Sequence, residues 1–246
     1  MPARPLPHFS DPRTNCVLRA IPAPDWSRWS AYLEPVHLSI GQVLAEAGRV
    51  PGYVVFPTTA VVSLLYVSED GASTELAVIG LEGMVGISLL MGGNAMPYQA
   101  VVQSAGLGFR LRAQVVTDDI ARGGALFQLM LRYAQTLMDQ VAQTAACNRY
   151  YSIDQLLCRR LLLALDRIPS GVLMMTQELL ANLLGVRREG VTVAALKLQT
   201  AGAIRYRRGR IDILDRAELA MRVNSAPLPV IPTRLAPYAP GLSMGA

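Results

Sequence analysis

Cations other than arginine are almost missing from this sequence of 246 residues. Of its 23 Lys and Arg residues only Lys197 is a lysine, and the two histidines are His8 and His37. Metal-dependent oxygenases built on β-barrels need two or three histidines with a carboxylate, so this pair argues against such a site. The chain also has no nucleophile elbow, P-loop or paired catalytic carboxylates. The sequence therefore predicts a protein that is not an enzyme.

Cysteine is also scarce. Cys16, Cys147 and Cys158 lie far apart and lack the C-x-x-C spacing of disulfide frameworks and zinc ribbons. One cysteine near the N-terminus cannot supply the four thiolates of a usual iron–sulfur cluster. His37 is more simply explained as a solvated loop or strand residue than as a haem ligand. We therefore expect no metal and no cofactor.

Long apolar runs are missing as well. The longest stretch without charge, 83–109, is interrupted by glycines and Pro97, which argues against a transmembrane helix. The N-terminus lacks the charged-then-apolar pattern of a secretion signal, so a cytoplasmic protein without a membrane partner is expected. Prolines in 1–14 and 223–246 predict disordered tails.

Positive charge is distributed unevenly along the chain. Residues 50–109 contain no Arg, Lys or His, and residues 1–150 carry ten Lys and Arg against eleven Asp and Glu. Residues 176–216 carry eight against four. This basic excess suits attraction to the phosphates of a nucleic acid. Because arginine predominates throughout, its abundance in that segment does not by itself indicate contacts to guanine.

The first half of the chain has the pattern of a β-domain. Runs rich in Val, Leu and Tyr alternate with Gly, Pro and Asp-Gly between residues 36 and 112. Strands this short, with no helical pattern between them, predict a compact antiparallel roll. A short amphipathic helix is predicted before it, over 25–33. The clearest predicted strands are 53–56, 61–67, 74–79, 100–103 and 108–111.

A long helix is predicted next, over about 124–150. One set of its residues recurs at alternating spacings of four and three, the pattern of a coiled coil. This set, which we call the seam, favours pairing with a second copy. The alternative is a helix packed on its own domain. If Cys147 lies on the seam of a dimer, an interchain disulfide could lock the pair; the alternative is a small buried thiol. The predicted dimerisation residues are Leu126, Met130, Tyr133, Leu137, Gln140, Thr144 and Cys147.

The stretch 176–199 has the spacing of a helix-turn-helix. Leu180, Leu183 and Leu184 form an apolar stripe at i, i+3 and i+4. Gly185 stands where the first helix should end, because glycine adopts a positive φ most easily. The second helix resumes an apolar face after this turn, and its exposed start would enter a DNA major groove.

Two short strand-like runs, 203–206 and 210–214, follow the helix-turn-helix. A basic turn joins them, so a hairpin is predicted. Two helices followed by a hairpin make a winged helix whose tip would reach a phosphate backbone. The predicted DNA-binding residues of the whole unit are Thr176, Gln177, Arg187, Arg188, Glu189, Thr192, Lys197, Arg207, Arg208 and Arg210.

The order of these parts resembles the Crp/Fnr family of bacterial transcription regulators over about residues 15–222. In the roll, 41–48 is similar to the family's early glycine-spaced turn, and 80–86 to the entry of its phosphate-binding cassette. The resemblance implies a homodimer in which Arg188 and Glu189 read base edges, and a contact with RNA polymerase. The strongest similarity lies in Thr176-Gln177-Glu178, Leu184-Gly185-Val186, Arg188-Glu189 and Val191-Thr192.

The sequence also departs from the cyclic-AMP-binding members that it resembles. Val193 stands where they have a second DNA-reading arginine, so a different preferred site is expected. Ile87 occupies the place of their ribose-binding Glu, and no Arg lies near 97–100 for the cyclic phosphate. Burying a phosphate without a countercharge is costly. We therefore expect no cyclic AMP binding in the family's manner.

These observations predict an α+β protein. Its parts are a disordered tail (1–14), a β-roll like cyclic-nucleotide-binding domains (15–122), a dimerisation helix (123–151), a winged helix-turn-helix (152–222) and a Pro-rich disordered tail (223–246). The expected function is sequence-specific binding of a palindromic site in double-stranded DNA by a homodimer. The alternative is a module that binds protein, or DNA without sequence preference, and carries a vestigial sensor domain. Target promoters, the sign of regulation and any effector ligand are not specified by the sequence.

Overall fold

The structure, a computed structural model, describes residues 11–69, 71–92, 95–168 and 172–225. The first part is a roll of two antiparallel sheets. Its strands are β1 (Glu34–Leu38), β2 (Val43–Ala45), β3 (Tyr53–Pro57), β4 (Val61–Val67), β5 (Ser73–Ile79), β6 (Gln99–Ser104) and β7 (Gly106–Arg112). One sheet has the order β1-β7-β3 and the other β2-β6-β4-β5. The expected α+β architecture is confirmed.

All five strands predicted in the roll are present, with ends that differ by a residue or two. The two missed strands are β1 and β2, which both lie at sheet edges. Strand β1 contains Pro35, whose missing N–H is tolerated at an edge but argues against a strand in the sequence alone. Strand β2 has only three residues, too few for a visible alternation.

The N-terminal segment of the described chain is ordered. A 3-10 turn (Pro12–Thr14), helix α1 (Cys16–Arg19) and helix α2 (Ala23–Ser30) pack on the roll. The buried Asn15 side chain donates to the carbonyls of Pro57 at 2.8 Å and Gly83 at 2.9 Å. The predicted loose tail is therefore wrong for residues 11–14, while 1–10 lie outside the described residues. Helix α2 starts and ends slightly earlier than the predicted 25–33.

Helices α3 (Ala113–Arg122) and α4 (Ala125–Tyr150) follow the roll. The long helix was predicted, but its dimerisation residues were not placed correctly. In α4 they lie inside the single chain: Tyr133 donates to the Met84 carbonyl at 2.7 Å, and Gln140 to the Val78 carbonyl at 3.1 Å. All seven predicted seam residues are buried, namely Leu126, Met130, Tyr133, Leu137, Gln140, Thr144 and Cys147. The apolar spacing reflects packing within the single chain, on the roll for the first half of α4 and on the core of the winged helix domain at Cys147. Cys147 therefore does not lie on a free seam.

The remaining described residues form the winged helix domain, 152–225. Its elements are α5 (Ile153–Leu165), β8 (Val172–Met174), α6 (Gln177–Leu184), α7 (Arg188–Thr200), β9 (Ile204–Arg207), β10 (Arg210–Ile213) and α8 (Arg216–Asn224). A capping box between Ser152 and Gln155 starts α5, because each side chain binds the other's backbone N–H. The predicted tail from 223 begins too early, since α8 continues to Asn224; 226–246 lie outside the described residues. Within the described chain, no helix combines the length and apolarity needed to cross a membrane.

Candidate nucleic-acid interface

Two local features of the sequence determine where helix α6 begins and ends. Thr176 caps the helix, its hydroxyl accepting the Leu179 N–H at 3.1 Å. Gly185 ends it with φ 64°, a left-handed conformation that disfavours side chains. Leu180 and Leu183 are buried, as the apolar stripe predicted. The helix-turn-helix therefore follows the local sequence closely.

Helix α7 has four sides with different surroundings. Its core side, formed by Val191, Ala194, Ala195 and Leu198, is almost completely buried. Residues three and four apart share a face of an α-helix, so the side opposite this core is centred on Glu189, Val193 and Leu196, all of which are exposed. Its other two sides face α6 and α5.

The side of α7 that faces α6 brings predicted DNA-binding residues together. The Thr192 hydroxyl donates to the Gln177 side-chain oxygen at 2.8 Å. Arg188 lies 3.7 Å from the Glu178 carboxylate, with both side chains largely exposed. An exposed pair at this distance is weak, so the Arg188 guanidinium can exchange this partner for a base or a phosphate. Arg187, at the N-cap, and Glu189 are also exposed.

The side that faces α5 accounts for Lys197. Its ammonium lies 2.9 Å from the Asp154 carboxylate in the first turn of α5. On the same side, a side chain at Gly190 would approach Ile153 to 2.7 Å, which requires the two helices to lie close together. Lys197 is thus turned away from the outward face where the other predicted DNA contacts gather.

The wing is a two-residue hairpin. Arg208 and Gly209 both have positive φ, 51° and 77°, as a tight turn of twisted strands requires. Arg207 and Arg208 are exposed at its tip, while Arg210 lies 2.9 Å from the Asp212 carboxylate. These positions agree with the predicted basic wing.

The wing is fixed to the body of its domain and carries one cation that the sequence analysis did not single out. Arg205 is exposed and shares a face of β9 with Arg207, since side chains two apart in a strand point the same way. Tyr206, between them, donates to the Met175 carbonyl at 2.8 Å. Burial raises the pKa of Tyr206, whereas the nearby Arg188 charge acts in the opposite direction, because the wing lies beside the start of α7.

Two ion pairs join the winged helix domain to the roll. The Arg160 Nε lies 2.7 Å from a Glu75 carboxylate oxygen, with side-chain exposures of 2% and 7%. Glu75 also accepts a hydrogen bond from Ser63. Arg167 pairs with Glu82 at 2.6 Å. The countercharges of Glu75 and Glu82 thus come from α5 and the segment after it.

Burial dominates the electrostatics of the Arg160–Glu75 pair. It lowers the pKa of Arg160, and the Glu75 charge opposes that shift. A buried charge of this kind is held in place by its partner.

Helix α6 also contacts strand β5: a side chain added at Gly185 would lie 3.2 Å from the Thr74 hydroxyl. The helix-turn-helix therefore packs against the roll.

Large apolar side chains of the roll and of the helices packed on it form one buried core. Trp29, Phe56, Met84, Met96 and Met130 are all essentially without solvent exposure. They belong to one apolar cluster that includes both sheets and the first half of α4. The segment 80–86, which is similar to the family's phosphate-binding cassette, ends at Gly86, whose φ is 111°. A 3-10 turn (Ile87–Met91) follows it.

The winged helix domain matches a known family of domains. Residues 156–222 fit the family model of the Crp-like helix-turn-helix domain. No curated protein sequence matches the chain.

Solved structures share the fold over most of the chain. A protein from Eubacterium rectale assigned to the Crp/Fnr transcriptional regulators is 18% identical, with a TM-score of 0.69 over 87% of this chain and 100% of its own. TTHA1359, a Crp/Fnr-family regulator from Thermus thermophilus, is 21% identical, with a TM-score of 0.63 over 78% and 99%. FixK2 from Bradyrhizobium japonicum is 15% identical, with a TM-score of 0.64 over 77% and 96%.

The geometry of α6, α7 and the wing defines a DNA-binding protein of the winged helix-turn-helix class. Residues 156–222 form a Crp-like helix-turn-helix domain, and the chain shares the fold of solved Crp/Fnr regulators over most of its length. Both findings agree with the resemblance found in the sequence.

Proposed function

We propose that this protein binds a palindromic DNA site as a homodimer, reading bases with α7 and holding the phosphate backbone with the wing. The observation that carries the proposal is the start of α7, where Arg187, Arg188 and Glu189 project from a helix whose opposite side is buried in its own domain. A rigid helix with exposed hydrogen-bonding side chains at its start suits a DNA major groove.

Each side chain has a role that follows from its chemistry. The Arg188 guanidinium donates to O6 and N7 of guanine, and the Glu189 carboxylate accepts from the amino group of cytosine. Arg187 and Thr192 flank them, and Thr176 and Gln177 position the start of the two-helix unit. Arg207, Arg208 and Arg210 contact phosphates, which fix the position of the protein without carrying sequence information. Lys197, held by Asp154, has a structural role in place of the DNA contact expected from sequence.

The exposed side of α4 provides a different dimer surface from the one first predicted. Its exposed residues repeat at alternating spacings of four and three, the pattern of a two-stranded coiled coil. Leu131 is 42% and Met138 58% exposed within the single chain. The stripe, which we call the α4 outer stripe, consists of Leu131, Gln135, Met138, Ala142 and Ala145. Pairing through it places two copies of α7 about a two-fold axis, with half-site centres about 34–36 Å apart.

Selection of bound sequences from random DNA tests this function. The expected product is an inverted repeat with half-site centres one helical turn apart. In a competition assay with a labelled copy of the selected duplex, unlabelled selected duplex should remove the protein from the label far better than a scrambled duplex of the same length and composition. Equal competition by both would exclude sequence-specific recognition and favour the alternative, a module that binds DNA without preference or contacts protein.

We also infer that cyclic AMP is not the effector. Residues 50–109 contain no cation, and two arginines that the winged helix domain brings to the roll, Arg160 and Arg167, already pair with Glu75 and Glu82. Phe56, Met84 and Met96 are also among the fully buried apolar side chains of the roll. A calorimetric titration should show no binding at micromolar cyclic AMP; micromolar affinity would contradict the inference.

The remaining partners follow from the family. As a transcription regulator the protein would act on chromosomal DNA in the cytoplasm, and a contact with RNA polymerase is inferred from the family resemblance. Co-sedimentation of polymerase with the protein on its selected duplex, compared with the duplex alone, tests that contact.

A further inference from the structure

An apolar strip occupies the centre of the surface that α7 turns outward. Val193 is 54% exposed and Leu196 is 62% exposed. Together they form what we call the α7 apolar strip. Glu189 lies one turn before Val193 on the same face. The polar neighbours on either side are engaged elsewhere, Thr192 with Gln177 and Lys197 with Asp154. The strip is therefore what the helix presents beyond its first turn.

We propose that Val193 recognises a thymine through its 5-methyl group and so sets one position of the half-site. This inference rests on the proposed function, because it requires α7 to lie in a major groove. A valine side chain has no donor or acceptor for hydrogen bonds. Among the base edges of the major groove, thymine alone presents an apolar group. Val193 thus gains free energy from a thymine and none from the polar edges of the other bases.

The position of that thymine follows from helix geometry. Val193 lies four residues after Glu189, which corresponds to about 6 Å along the helix axis. Successive base pairs are separated by about 3.4 Å. The thymine should therefore lie about two base pairs from the pair that Glu189 contacts, on the side toward the C-terminal end of α7. Leu196 lies one turn further along and prolongs the apolar surface.

Replacement of thymine by deoxyuridine isolates this contact. The change removes the methyl group and leaves every hydrogen-bonding atom of the base in place. Burying one methyl-sized group contributes about 0.8 kcal/mol, which corresponds to about a fourfold change in Kd. Replacing the thymine in both half-sites should weaken binding by about fifteenfold, since distant sites add.

The experiment measures Kd for the selected duplex and for its deoxyuridine version. Three forms of the full chain are compared: the unsubstituted protein, Val193→Ala, and Met221→Ala as a control. Met221 is similarly exposed but lies on α8. The full chain and Met221→Ala should prefer thymine by the stated factors. Val193→Ala should bind the two duplexes within about twofold of each other, since its shorter side chain withdraws from the methyl group.

Each outcome bears on a different statement. A full chain that binds both duplexes equally, or a Val193→Ala variant that keeps the whole thymine preference, overturns the inference and leaves the proposed function intact. Absence of any preference for the selected duplex over a scrambled one overturns the proposed function itself. A selected half-site without thymine near the predicted position also contradicts the role of Val193.

Discussion

The arginines at the interface between the two domains are buried and paired, whereas those at the surface of α7 and the wing are exposed. At the interface, Arg160 and Arg167 pair at 2.7 and 2.6 Å with carboxylates of the roll, and Arg160 is almost wholly buried. On α7 and the wing, Arg187, Arg188 and Arg208 remain exposed. A buried charge requires its own partner within the fold, whereas an exposed one is available to a ligand. Burial and pairing, and not residue type, therefore separate the arginines used within the fold from those that remain available to a ligand.

The sharpest way to break this comparison is to remove Arg160. Arg160→Ala leaves Glu75 buried without a countercharge, which should lower the free energy of unfolding by about 3–5 kcal/mol. The matched control is Arg216→Ala, because Arg216 forms an exposed pair with Asp166; its cost should stay below about 1 kcal/mol. Urea denaturation followed by circular dichroism gives both values. Equal losses in the two variants would show that the buried pair has no special role.

A charge on the α4 outer stripe tests the proposed assembly. Met138→Glu places two carboxylates near each other across the two-fold axis, and such like-charge contacts cost several kcal/mol. The variant should sediment as a monomer at concentrations where the full chain is a dimer, with its circular dichroism unchanged. Arg132→Glu, at an exposed position beside the stripe, serves as the control. A Met138→Glu variant that remains dimeric would exclude the stripe as the interface.

The cap of α6 tests whether Thr176 has a structural role. Thr176→Ala removes the hydroxyl that accepts the Leu179 N–H, which should cost about 1 kcal/mol of stability. Thr200→Ala, where the hydroxyl donates to the Leu196 carbonyl of its own helix, is the control and should cost less than about 0.5 kcal/mol. The denaturant midpoint reports both. A cost at Thr176 no greater than at Thr200 would mean that the cap contributes little.

The cysteines give the smallest effect, a difference in reactivity. Burial raises the pKa of Cys158 to about 11, so at pH 8 only roughly one molecule in a thousand carries its thiolate. Cys147 is also buried, whereas Cys16 is partly exposed. A thiol reagent at pH 8 should label Cys16 first, and all three only after unfolding. Rapid labelling of Cys158 in the folded protein would contradict its burial.

The parts of the winged helix that could be predicted from the sequence are those with local causes. The Thr176 cap, the Gly185 turn and the wing each depend on residues close together in the chain, so their patterns can be read directly. The Arg160–Glu75 pair could not be predicted, because nothing near either residue indicates the other. The Lys197–Asp154 pair could not be predicted either, because helical spacing does not reveal that Asp154 lies beside Lys197.

Helix α4 shows a different limit of sequence patterns. A repeat of apolar residues at 3.5-residue spacing predicts a buried seam, but does not say whether the partner is the same chain or a second copy. The seam through Tyr133 and Leu137 packs on the roll, where the Tyr133 hydroxyl bonds the backbone of Met84. The α4 outer stripe, which includes Met138, lies on the opposite face of the helix and is less apolar than the buried seam.

The most direct measurement of the central claim compares Arg188→Ala with Arg208→Ala on the selected and scrambled duplexes at several salt concentrations. Arg188→Ala should weaken binding to the selected duplex by about 1–3 kcal/mol and relax one base position, with little effect on the scrambled duplex. Arg208→Ala should weaken both duplexes alike and lower the salt slope by about one. If the two variants lose affinity for both duplexes in the same proportion, then α7 does not read bases and the wing is not a separate backbone contact.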